Sequence, residues 1–286
     1  MIRHATQSLR AIVDMIAQEN ARIANLGFGS LPEILSGNLK PPDFTDRRRT
    51  TQKDRTAIVA NEIDLVRLRL LVNSLGCLKI LEFGCGYSTV VLAEALQKNK
   101  MRADLRSIVE LSRQEKPFHV HSVDASRHFI RHTKRMLRSQ RLTNATLSFS
   151  SCRAAQFAES GGVCSQFDQI PNITPDLIYI DGPALHQVKG SVNGLTFDLH
   201  SRSPVASDLV VLEPLLRPGV VVVLDGQTAT VRALLNHLKR TWGYVYCSKT
   251  DGHYLELMES PLGPAHAEVL SKQRGIKWER EVRELI

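Results

Sequence analysis

The chain has 286 residues, 43% of them hydrophobic, enough to bury one sizeable core with extensions around it. No apolar run approaches the ~20 residues a membrane span needs, and the amphipathic start, interrupted by Asp14 and Glu19, does not read as a signal peptide. Five cysteines without a C-x-x-C pair speak against a zinc module and for free thiols in a reducing cytoplasm, while the net charge of +8 admits a polyanionic partner without demanding one.

In chain order, residues 6–26 predict a helix with Leu9, Ile12, Val13, Ile16, Ile23 and Leu26 along its apolar stripe. Gly27-Phe28-Gly29-Ser30 breaks it, and the charged, turn-rich stretch 36–55, with Arg47-Arg48-Arg49, reads as a surface excursion. A second helix is predicted over 56–75 through Ile58, Ile63, Val66, Leu68, Leu70 and Leu71. The apolar run Leu78, Ile80, Leu81 then ends in Glu82-Phe83-Gly84-Cys85-Gly86, and Val90, Val91, Leu92, Ala93 and Leu96 mark the helix after it. This is a strand, a tight turn and a helix start. Its glycines permit positive φ and close backbone approach, and the first amides of the helix have no partner within it.

A polar stretch, 97–117, with a short helix around Leu105–Leu111, leads to a strand over His119–Asp124. The basic stretch from Arg127 to Arg141 places Phe129, Ile130, Met136 and Leu137 at helical spacing, so Arg131, Lys134, Arg135 and Arg138 read as the solvated side of an outer helix. Residues 145–151 suit a third strand, followed by a loop rich in Gly, Ser and Gln. A fully apolar fourth strand ends at Asp181, a short helix spans 207–216, and a fifth strand, Val220–Leu224, ends at Asp225-Gly226. Residues 229–242 read as a helix, Tyr244–Lys249 and His253–Met258 flank the hairpin turn Thr250-Asp251-Gly252, and the tail 261–286 reads as helical and charged.

Apolar strands alternating with helices, each closing on an acid or a glycine, predict an α/β fold. The expected architecture is a doubly wound, seven-stranded, mostly parallel sheet with a terminal antiparallel hairpin and an N-terminal helical extension. The expected organisation is an extension and surface loop over 1–55, one domain over 56–260 and a tail over 261–286. Ligands of such sheets sit outside the carboxyl ends of the strands, an edge that collects Glu82, Gly84, Gly86, Asp124, Cys152 and Asp181.

The stretch Ile80-Leu81-Glu82-Phe83-Gly84-Cys85-Gly86-Tyr87-Ser88-Thr89 resembles motif I of the class I S-adenosylmethionine (SAM)-dependent methyltransferases. A dinucleotide fold would want a third small residue where Thr89 stands, and a strand-end acid would repel a pyrophosphate. The terminal hairpin is that family's signature, and the resemblance covers residues 56–260. IDGPA, LRPGVVVVLDG and DGHYLELMES look most like uncharacterised bacterial small-molecule methyltransferases.

The resemblance implies SAM as cofactor. Glu82 would hold its charged end, directly or through water, at the Gly84-Cys85-Gly86 turn. Ser88 and the amides of Tyr87 and Ser88 would reach its carboxylate, Asp124 would accept the ribose hydroxyls, and Ser151-Cys152 would neighbour the adenine. Asp124 lies 40 positions beyond Gly84 rather than the usual ~20, so the assignment needs the insertion at 97–117. A helix N-cap is its competing role, since a helix begins directly after it.

For methyl transfer the expected catalytic residue is Asp181, with His186 in the loop beyond it as a candidate general base and an ordinary surface histidine as its competing reading. Metal-dependent O-methyltransferases of this superfamily carry an acidic or amide pair where Asp225-Gly226 stands here, so the metal-free reading is preferred, with Mg²⁺ on Asp181 and Asp225 as the alternative. Asp181-Gly182-Pro183-Ala184 lacks the Pro-Pro-aromatic string of base-methylating enzymes, which leans the acceptor towards a hydroxyl of a small molecule or saccharide. A nucleic-acid-binding or nucleic-acid-modifying protein on the same scaffold is the alternative from another class, motivated by the charge. The sequence names no oligomeric state.

Overall fold

The computed structural model describes residues 2–26, 62–199, 203 and 205–274. The expectations for the break at 27–30, the loop at 36–55, the start of the second helix and the end of the tail lie outside the described residues.

The first half of the chain runs β1 (Ile2–His4), α1 (Gln7–Leu26), α2 (Glu62–Ser74), β2 (Lys79–Phe83), α3 (Tyr87–Met101), α4 (Ala103–Arg106), α5 (Val109–Ser112), β3 (His119–Asp124) and α6 (Arg127–Ser139). The second half runs β4 (Ala145–Phe149), β5 (Cys152–Gln156), β6 (Val163–Phe167), β7 (Leu177–Ile180), β8 (Val188–Lys189), α7 (Asp208–Leu212), β9 (Val221–Asp225), α8 (Thr228–His237), β10 (Trp242–Cys247), β11 (Gly252–Leu257) and α9 (Pro264–Arg274). The main sheet has the order β1-β10-β11-β9-β7-β2-β3-β4. All seven expected strands are in it, parallel except for β11, which runs antiparallel to both β10 and β9, and β1 joins as an eighth strand, parallel to β10. A strand of three residues offers no period to read, which is why the sequence conceals it.

After β2 the chain steps outward to β3 and β4, then crosses back to β7 on the other side of β2. That reversal opens a crevice at the carboxyl ends of β2 and β7. Both faces of the sheet are covered, so its central strands are apolar throughout rather than alternating. Ile80, Leu177, Tyr179, Val221 and Val223 pack into one core with Leu9, Ile16, Leu68, Leu71 and Leu92 of the first three helices. Leu81, Phe83, Ile178, Ile180, Val222 and Leu224 pack into a second with Leu209 and Leu212 of α7 and Val231 and Leu234 of α8. Each such side chain contributes about 1.5–3 kcal/mol on burial.

Three expectations change. The loop after the third strand is instead a small sheet of order β6-β5-β8. The helix expected over 229–242 stops at His237, because Trp242 is needed as the first residue of β10. There its indole Nε1 donates to the buried Glu213 Oε1 at 2.7 Å. Around Leu105–Leu111 stand two short helices, α4 and α5, rather than one. The basic α6 lies as expected, with Ile130, Met136 and Leu137 buried and Arg131, Lys134, Arg135 and Arg138 exposed.

Candidate functional site

Strand alternation sets the site. Ile80 and Glu82 point to the face covered by α2 and α3, and so do Val120, Ser122 and Asp124 of β3. The same period carries Leu177 and Tyr179 on to Asp181, and Val221 and Val223 on to Asp225. Four acids thus arrive at the carboxyl edge on one face.

The glycine turn brings them together. Gly84 has φ +102°, a conformation open to glycine, and a Cβ there would stand 3.3 Å from Gly182 N and 3.5 Å from Asp181 C. A Cβ on Gly182 would stand 3.0 Å from Gly84 Cα. The two backbones touch, and Asp181 sits beside the turn. Gly86 instead faces open space, with nothing within 4 Å of an added Cβ. A ligand can therefore approach the first turn of α3, whose amides have no partner inside the helix.

Glu82 lies beneath the turn. It is fully buried, and its carboxyl accepts from Ser88 Oγ at 2.5 Å, Thr89 Oγ1 at 2.6 Å and Ser122 Oγ at 2.5 Å. Burial pushes it up to about 7 against those three donors. Ser88's hydroxyl is committed to Glu82, so what remains for a ligand is the backbone of Tyr87 and Ser88. These bonds tie Glu82 to the first turn of α3 and to β3.

Asp124 is 5% exposed, with Oδ2 accepting from Cys85 N at 2.9 Å and Oδ1 from Ser126 N at 2.5 Å. Burial raises it to about 6, with the amides of Ser126 and Cys85 pulling the other way. The cap of α6 is Ser126, whose Oγ accepts from Phe129 N at 3.2 Å, so Asp124 is no helix cap. Instead it ties β3 to the glycine turn.

At the other side of the crevice, Arg67 of α2 is fully buried. Its Nη2 forms an ion pair with Asp225 Oδ1 and lies 3.2 Å from Asp64 Oδ1, while Nη1 donates to Thr250 O at 2.8 Å. Tyr179 donates its hydroxyl to Asp225 Oδ2 at 2.6 Å. Burial first, then the charges of Asp181 and Asp225, hold the Tyr179 phenol well above its usual range, so it stays a donor. Both oxygens of Asp225 are engaged, and the Mg²⁺ alternative on Asp181 and Asp225 does not fit this arrangement.

Asp181 follows β7 directly, its amide donating to Phe83 O at 2.9 Å. Among the described residues no hydrogen bond or ion pair claims its carboxyl. Desolvation by the crevice walls, and then the charges of Asp225, Glu82, Asp64 and Asp124, push it up from the usual carboxylate range. The residue is open to water at the mouth, which screens that repulsion and keeps the shift below what a sealed cluster would give.

His186 lies on a 3₁₀ turn, Leu185–Gln187, in the loop beyond Asp181, with Nε2 shielded from solvent and without a partner among the described residues. Ser151 is exposed, whereas Cys152 opens β5 with its thiol sealed beside Phe167 and Val188, so any contact of that pair with a ligand falls to Ser151. Sequence reasoning missed Arg67 and Tyr179. The available signal was a charge set among Leu65, Val66, Leu68 and Leu71, a position that demands a partner. A separate cavity of about 350 Å³, lined by Phe157, Val210, Glu213 and His237 among others, lies away from these strand ends.

A family model described as a methyltransferase domain matches residues 81–226, just over half of the chain. No match was found among curated protein sequences. Among solved structures, the SAH-bound methyltransferase PaMTH1 of Podospora anserina is 13% identical, with 74% of this chain and 84% of that one covered and a TM-score of 0.42. An O-methyltransferase from Bacillus cereus in complex with SAH is 15% identical over 85% and 98% of the two chains, with a TM-score of 0.40. TomG from Streptomyces achromogenes, an O-methyltransferase involved in tomaymycin synthesis and solved with SAM, is 15% identical over 72% and 83%, with a TM-score of 0.38. Scores of this size leave the family model, over the glycine turn and all four strand-end acids, as the ground for membership. The chain belongs to the methyltransferase-domain family, built on the doubly wound sheet of the class I SAM-dependent methyltransferases.

Proposed function

We propose that this protein transfers a methyl group from SAM to a hydroxyl oxygen of a small-molecule or saccharide acceptor. The observation that carries the reading is the uncommitted carboxyl of Asp181 at the mouth of the crevice, beside a glycine turn open to a ligand at Gly86. The amides of Tyr87 and Ser88 receive the cofactor's carboxylate, and Gly84, Cys85 and Gly86 shape the turn around it. Asp124 takes the ribose hydroxyls, since each of its oxygens accepts one amide and keeps a second lone pair. Ser151 stands by the adenine. When bound, SAM supplies an activated methyl: the acceptor oxygen bonds to that carbon as the C–S bond breaks towards sulfur. Asp181 receives the hydroxyl proton, and His186 Nε2, unpaired in the loop above, orients the acceptor or shares that proton. The acidic rim favours the cofactor's ammonium and sulfonium over a phosphate ligand. The free state of all five thiols supports a reducing, cytoplasmic setting. The bacterial setting rests on the resemblance of the sequence. Among the described residues no helix is long and apolar enough to cross a membrane.

Isothermal titration with SAM and with NAD tests the cofactor. SAM should bind and Asp124→Ala should weaken it by ~1.5–3 kcal/mol through lost charged hydrogen bonds. Tight NAD binding without SAM binding would overturn the reading.

A further inference from the structure

The two strand-end acids of β7 and β9 occupy adjacent registers, since Ile180 pairs with Leu224. Neighbouring strands run ~4.8 Å apart, a separation at which two carboxylates can share one divalent cation. On the Asp225 side of that pair stands a protein cation. Arg67 reaches from α2 with no exposed surface, pairs with Asp225 and Asp64, and is fixed by Thr250 O at the tip of the β10–β11 hairpin. We propose that Arg67 is a positioning residue, a built-in cation occupying the place a divalent ion would take, which fixes Asp225 and Tyr179 and leaves Asp181 as the free carboxylate of the site.

Three observations converge on this. A buried arginine is retained only with partners, and here its contacts come from α2 itself, from the end of β9 and from the hairpin tip. Guanidinium is the cation that can hold a carboxylate and a carbonyl at once from one rigid fork. Finally, Tyr179 donates to the second oxygen of Asp225, so that each oxygen of the carboxylate is held by its own donor. A divalent ion on Asp225 would have to sit against or displace the Arg67 guanidinium, whose positive charge opposes it. Arg67 also pins the hairpin tip to the rim, so the shape of the acceptor side depends on it.

The inference rests on the transfer reading only in calling the site catalytic, and its test needs no turnover. Mn²⁺ is the probe, followed by electron paramagnetic resonance and by thermal melts of the whole chain, for wild type, Arg67→Ala, Asp225→Asn and the double variant. Wild type should show no Mn²⁺ binding that Asp225→Asn removes. Arg67→Ala should bind Mn²⁺ at least ~10-fold more tightly than wild type and melt higher in its presence, because the ion binds the folded state alone. The double variant should lose both effects. A merely structural arginine would give a weakened protein with no gained metal site. Folded Arg67→Ala without Mn²⁺ binding would overturn the proposal, and so would Asp225-dependent Mn²⁺ binding by wild type. If Arg67→Ala does not fold even with Mn²⁺, the wild-type and Asp225→Asn comparison decides by that same criterion. SAM titration of wild type alongside separates the two readings: SAM binding with Asp225-dependent Mn²⁺ binding sinks this inference alone.

Discussion

The two sides of the crevice hold the same kind of residue, an acid at a strand end, in opposite ways. At β2 and β3, Glu82 and Asp124 are tied down by neutral donors: three hydroxyls for one, two amides for the other. At β7 and β9, Asp225 is held by a full positive charge and a phenol, and Asp181 is left to water. Neutral donors do not outweigh burial, so the first pair is pushed up, to about 7 for Glu82 and about 6 for Asp124. The difference separates two jobs. In the proposed reading, neutral clamps shape a binding turn, while the guanidinium fixes one acid and leaves its neighbour free to react.

The comparison breaks hardest at Arg67. Arg67→Met leaves Asp225 without its counter-charge near the core and should cost about 3–5 kcal/mol in urea unfolding. Adding Asp225→Asn should recover most of that loss, because the orphaned charge goes with it. A cost below about 1 kcal/mol for the single variant would mean that water already screens the pair.

Glu82 sharpens the other side. Its folded value, about 7, lies above the 4.5 of an unperturbed glutamate. The folded state therefore holds the proton more tightly, and the stability it contributes is present below pH 4.5 and lost as pH rises towards 7. A shift of that size corresponds to roughly 3 kcal/mol. In Glu82→Gln the fall in unfolding free energy between pH 4.5 and pH 8 should shrink by about that amount. An unchanged slope would show that Glu82 ionises freely.

Much of this was legible in the sequence. The turn at Gly84–Gly86, the strand-end acids and the terminal hairpin are local patterns, and local patterns survive folding. Asp124 and Asp181 could be placed because a strand's period fixes the face of its last residue. Arg67 could not, because its partners Asp225 and Thr250 lie 158 and 183 positions away and no period connects them. Ser88 and Cys152 were assigned by position along the chain, which does not show that the Ser88 hydroxyl goes to Glu82 or that the Cys152 thiol packs beside Phe167 and Val188. The β5–β6 hairpin escaped because its turn residues, Glu159-Ser160-Gly161-Gly162, read as part of one long loop.

The central claim, that Asp181 is the working acid of a methyl-transfer site, is tested most directly by incubating a cell lysate with methyl-tritiated SAM and either wild type or Asp181→Asn. The account predicts that wild type moves label into a small, hydroxyl-bearing product, and that Asp181→Asn slows this by ~10²–10⁴ while SAM affinity stays nearly the same. Equal labelling by the two proteins, or none by wild type, would contradict it.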